Sequence, residues 1–158
     1  MTKTIATLPG WLMFLILMIP YFFSQVFPPP LSMFVLLVVF ILWLYSLGFE
    51  AQSIIPKEFS IPFSRFKYAL LYCASYAMIS NILLSNREIT LYVAPFHFLA
   101  MACTFYSFYY IAKTIRIIEL NRKVTFENWA ALFFALWFFP IGVWFIQNKM
   151  KRIIPVYN

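Results

Sequence analysis

A chain of 158 residues has the length of one modest domain, but a composition that is 64% hydrophobic and 22% aromatic, with a mean hydropathy of +0.84, excludes a water-soluble one. Its 12 basic residues outnumber 5 acidic ones, the acids are all Glu, and the lack of Asp excludes chemistry that needs it. One His and two Cys cannot alone build a three-His zinc site, a four-Cys cluster or a disulfide framework.

A hydrocarbon core of about 30 Å needs roughly 17 to 25 apolar residues rising 1.5 Å each. Five uncharged runs meet that requirement, at 11–27, 31–49, 68–84, 91–112 and 129–147. The pattern predicts an all-α polytopic membrane helical bundle of four or five spans, forming a single integral membrane domain over 1–158. Ionised groups cost several kcal/mol in hydrocarbon, so every Lys, Arg and Glu lies in a connection or a tail.

The first run follows Lys3 like a secretory signal, but YFFSQVFPPP after it lacks a small-x-small cleavage pattern, which predicts an uncleaved anchor. Pro28, Pro29 and Pro30 break the chain into a tight hairpin, because successive prolines lack donors and clash with the preceding turn. After the second run, residues 50–67 form the longest polar stretch. Its Pro56 and Pro62 stand among Ile54, Ile55, Phe59, Ile61 and Phe63, and the mixture predicts an interfacial loop.

In the third run Ala69, Cys73 and Ala77 recur every four residues, a small-residue face that lets a neighbouring helix pack closely. Tyr68, Tyr72 and Tyr76 form a stripe beside it. Tyr106, Tyr109 and Tyr110 end the fourth run at the same membrane side, which predicts an aromatic belt. The short turn SNREIT predicts antiparallel third and fourth helices, with Thr90 as N-cap.

His97 sits about two turns into the fourth run, where an ionisable residue hints at function. The plain reading is a neutral imidazole hydrogen-bonded between helices. Met101 is one turn away on the same face, so the two cannot be opposite axial ligands of one haem. The sequence predicts no bound cofactor or metal. A cavity centred on His97, Tyr72 and Tyr76 remains compatible with a lipid, quinone or haem. Cys73 and Cys103 fall at similar depths but make no metal site with His97, and buried free Cys usually acts as a small hydrophobe.

Beyond Ala112, Ile111, Ile115 and Ile118 repeat at helical spacing beside Lys113, Arg116 and Glu119, predicting a helix that protrudes into a cytoplasmic basic segment over 113–128. Arg122 and Lys123 continue it. Thr125 and Glu127 then suit the start of the last helix. If all five runs cross, Lys3, Lys57, Arg65, Lys67, Lys113, Arg116, Arg122 and Lys123 face one side, against Arg87, Lys149, Lys151 and Arg152. If the last run enters and returns, Arg87 alone is opposed to the rest, which obeys the positive-inside rule far better. Length favours a crossing, while Pro140 and Gly142 suit either a kink or a re-entrant turn. The amino terminus is cytoplasmic in both.

WFFPIGVWFIQ, from Trp137 to Gln147, resembles the closing motif of small, uncharacterised polytopic bacterial membrane proteins. In those a proline often follows, where this chain has Asn148. The resemblance covers about 30 residues with the preceding basic segment and VTFENW. It implies a bacterial source, hence the cytoplasmic (inner) membrane, and a special role for Pro140 to Gly142, but no activity.

Basic residues spread over short loops, including Lys149, Lys151 and Arg152, suit anionic lipid headgroups or a protein partner and not nucleic acid. Chemical poverty with abundant packing surface predicts a non-catalytic accessory or structural subunit, or a self-associating protomer. Its partners would be membrane lipids and other membrane subunits or copies of itself. An oligomeric channel, pore or transporter component is the second expectation, and a membrane enzyme or cofactor-binding protein centred on His97 and the tyrosines the third.

Overall fold

The uncharged runs fold as helices in the computed structural model, which describes residues 2–22, 29–83, 90–139 and 141–154. In chain order they are α1 (Thr2–Thr7), α2 (Gly10–Phe22), α3 (Pro29–Ile54), α4 (Phe63–Leu83), α5 (Thr90–Leu120), α6 (Phe126–Trp137) and α7 (Ile141–Ile153), with a 3-10 turn at Lys57–Phe59. No strand occurs among the described residues, and the chain is all-α. Among them, Ser32–Ile54 is the one helix both long and apolar enough to cross a bilayer, with a mean hydropathy of 2.3. At 21 and 31 residues α4 and α5 are long, but their tyrosines and serines make them less apolar, and α2 has only 13 residues.

Pro29 and Pro30 open α3 instead of making a hairpin. A first-turn N–H has no helical partner to lose, so proline is tolerated there. Pro28 lies outside the described residues. At its other end α3 runs past the expected boundary through Glu50 to Ile54, stopping ahead of Pro56. The stretch expected as an interfacial loop is therefore helical at both ends. Phe66, within it, is fully buried and stacks on Tyr110 with ring centroids 4.5 Å apart.

The α4 and α5 helices pack side by side, and Phe66 against Tyr110, Cys73 against Thr104 and Tyr76 against His97 show an antiparallel register. The turn expected between them lies outside the described residues, apart from Thr90, which begins α5. As its isoleucine spacing predicts, α5 continues to Leu120, a length of about 46 Å. Asn121 ends it in the left-handed region (φ 47°), with its N–H donating to the Ile117 carbonyl at 2.8 Å.

The last run is two helices, folded back on each other, where length favours one crossing. Lys149 near the end of α7 pairs with Glu119 at the end of α5. Arg116 reaches Glu119 at 2.6 Å and donates from Nε to the Asn128 carbonyl, near the start of α6, also at 2.6 Å. The end of α7 thus returns to where α6 began. Gly142 permits the close approach, since it sits where a Cβ would run into the backbone of Ala135. Two donors at the bend find partners: Phe138 N–H bonds the Phe134 carbonyl at 2.8 Å and Gly142 N–H the Phe138 carbonyl at 3.2 Å. Phe139 packs on Phe40 and Trp43 of α3. Pro140 lies outside the described residues.

One helix went unforeseen. Too short to show a period, α1 packs between α3 and α7, burying Ala6 completely. Thr2 Oγ1 donates to Glu50 Oε1 at 2.6 Å, and Gln147 Nε2 to the Ile5 carbonyl at 3.0 Å. Gln52 at the end of α3 accepts from Tyr110 and donates to Ser60. These contacts gather the amino terminus, the α3–α4 and α5–α6 connections and the end of α7 at one end of the bundle. Every Lys, Arg and Glu among the described residues belongs to that end.

Candidate functional site

Sequence reading names Tyr72, Tyr76 and His97 separately, and the antiparallel register of α4 and α5 brings them together. A cleft of about 450 Å³ opens between these helices and the first half of α3, walled by Met33, Leu37, Cys73, Tyr76, His97 and Phe105 among others. Tyr76 Oη and His97 Nδ1 lie 3.1 Å apart. Either the phenol donates to a bare Nδ1, or a protonated Nδ1 donates to the phenol oxygen. Tyr72 stacks on Tyr76 and donates to the Phe96 carbonyl at 3.2 Å.

The remaining polar side chains of the wall are satisfied by the helices themselves. Thr104 donates to the Ala100 carbonyl at 2.9 Å, and Cys73 Sγ contacts that carbonyl and Thr104 Oγ1. Ser80 donates to the Ala77 carbonyl. Among the described residues the imidazole Nε2 makes no hydrogen bond, although His97 is exposed on the outer surface of the bundle. Met101 shares the wall, one turn along from His97 as expected. Ala69, Cys73 and Ala77 are buried along α4. Both cysteines are free, and no group of three metal-ligating side chains occurs among the described residues.

The tyrosines divide by helix face and not only by depth. Tyr68 is exposed, as an aromatic belt requires, but Tyr110 is wholly buried, its hydroxyl held by Gln52 and its ring by Phe66. Tyr109 accepts from Lys113 at 2.7 Å and meets the ring of Trp129 edge-on.

At the charged end, Arg116 and Lys149 are drawn into the Glu119 pair, while Arg122, Lys123 and Arg152 are exposed and Lys151 half-buried. Burial pushes the Glu119 carboxyl up. Hydrogen bonds from Lys149 and Arg116, aided by their charges, outweigh that and hold it below its ordinary 4.5. A carboxylate lowered on folding stabilises the fold above the unfolded value and loses that contribution as pH falls below it. The contribution of this ion pair should therefore be constant above about pH 5 and decline beneath about 4.5. Glu119→Gln should remove this decline and cost about 1 kcal/mol at pH 7, read from melting curves across pH. An unchanged acid limb would show that the latch contributes nothing.

Among the described residues two buried atoms lack partners: Trp43 Nε1 in α3 and Gln147 Oε1 in α7. Sequence reading missed both, because only the tertiary fold shows that Gln147 is enclosed. Compared with protein families, curated proteins and solved structures, the chain matches none of them.

Proposed function

We propose that this chain is an integral membrane protein in which the first four apolar runs cross and α6–α7 re-enters, leaving both termini in the cytoplasm. Its role in this reading is that of a non-catalytic accessory or structural subunit, or a self-associating protomer, of a membrane assembly. One observation carries the placement: described charges gather at one end, while large apolar side chains stand exposed around the rest. Tyr92 is 79% exposed and Ile141 69%, with Leu71, Phe98, Phe138 and Phe145 all above half. Such a surface suits lipid and protein partners and not water. The topology leaves Arg87 as the one cation facing away from the cytoplasm, in keeping with the positive-inside rule.

The role follows from surface chemistry. In lipid, helices associate through close packing and polar contacts, and the flank of α4 and α5 presents aromatic relief beside hydroxyls. The test is the mass and composition of the particle extracted from membranes in mild detergent. The expected result is an assembly of fixed stoichiometry larger than the single chain of 18.7 kDa. A lone chain under every mild condition would overturn the assembly role, and recovery in the aqueous fraction without detergent would overturn the membrane placement.

A further inference from the structure

We propose that the cleft between α3, α4 and α5 binds a lipid-soluble quinone, its ring carbonyl or hydroxyl held by the Tyr76–His97 pair. The inference rests on the bilayer placement proposed above and adds a ligand to it. Three features of the site select this class.

The first is unfilled hydrogen-bonding capacity. Whichever group donates across the 3.1 Å contact, a neutral imidazole and a phenol keep one donor and one acceptor between them. If Tyr76 donates, Nε2–H is free to donate and the phenol oxygen to accept. If Nδ1–H donates, the roles exchange. Thr104, Cys73 and Ser80 already spend their hydrogens within the helices, so among the described side chains of the wall this pair is the one that keeps an unused donor. An acyl chain lying over it would leave both groups unpaired in hydrocarbon.

The second is depth. His97 is seven residues into α5, roughly 10 Å along its axis from Thr90. Phospholipid ester and headgroup oxygens stay near the interface, so the polar atom that meets Nε2 must belong to a molecule that travels inside the hydrocarbon. The third is shape and adaptability. A volume of about 450 Å³ with mostly apolar walls, Tyr76 and Phe105 among them, takes a substituted ring and the start of a tail. A quinone presents carbonyl acceptors and a quinol presents hydroxyl donors. The tautomeric pair can meet either form, a property that a fixed donor lacks.

The chain's single histidine makes the test direct, because 15N-histidine labelling reports one imidazole. The labelled protein, in nanodiscs of phosphatidylcholine and phosphatidylglycerol, is titrated with a benzoquinone bearing a ten-carbon tail. The expected result is a saturable change at Nε2. Tyr76→Phe should weaken binding about fivefold to tenfold, the worth of one hydrogen bond. Three outcomes would overturn the proposal: no saturable change in the wild type, an equal change with a ten-carbon alkylbenzene lacking oxygen, or an equal change on altering the phospholipids alone. Since the sample is already bilayer-embedded, such failures would leave the membrane placement standing.

Discussion

Gly142→Ala should loosen the α6–α7 hairpin and cost about 3 kcal/mol or more, among the larger effects a single methyl group can have. Its Cβ would stand 1.5 Å from the carbonyl oxygen of Ala135 and 2.3 Å from the carbonyl carbon. Both are backbone atoms, so no change of rotamer relieves the overlap and the two helices must part. Separation would unseat Val143, Ile146 and Met150, which are fully buried. At 2 to 4 °C per kcal/mol for a chain of this size, melting in detergent should fall by roughly 6 to 12 °C. Gly10→Ala, whose Cβ would lie 3.1 Å from Trp144 Cα, should cost clearly less. Equal melting temperatures for wild type and Gly142→Ala would mean that α7 does not pack on α6 this way.

The second large effect belongs to Phe66. Its ring fills the space that a side chain at position 48 would need, with Phe66 Cζ 2.4 Å from a Cβ built on Gly48. Tyr110 on one side and Phe63 at 5.5 Å leave the ring nowhere to go. Phe66→Ala should cost about 3 to 5 kcal/mol through the cavity and the lost stacking partner of Tyr110. Gly48→Ala should cost about 2 kcal/mol by overpacking. Because the two share one volume, Gly48→Ala with Phe66→Leu should be less destabilised than the sum of the separate variants. Strict additivity would refute the contact.

Much of this fold is legible in one dimension because the dominant constraint is one-dimensional. Charge-free runs mark the helices, and the isoleucine spacing beyond Ala112 locates the extension of α5. What stays hidden depends on contacts between distant segments. The hairpin in the last run is masked by an unbroken apolar stretch, and the count of cations is what hints that its end returns to where the run began. The six residues of α1 are too few for periodicity, and the burial of Ala6 depends on α3 and α7 being in place. Tyr110 passes for a belt residue by depth, since depth says nothing about which face meets Phe66. At the site, the sequence supplies His97 and Tyr76 as separate candidates, and their pairing follows from the register of two antiparallel helices that no residue spacing encodes.

Cysteine accessibility decides whether the two ends of the chain share one side of a bilayer, as proposed. In a background with Cys73 and Cys103 replaced by alanine, single cysteines at Arg122, Arg152 and Arg87 are labelled in sealed vesicles by a membrane-impermeant maleimide. Arg122→Cys and Arg152→Cys should react from the cytoplasmic side, and Arg87→Cys only from the opposite one. Labelling of position 152 together with position 87, and apart from 122, would contradict the re-entrant hairpin and the topology built on it.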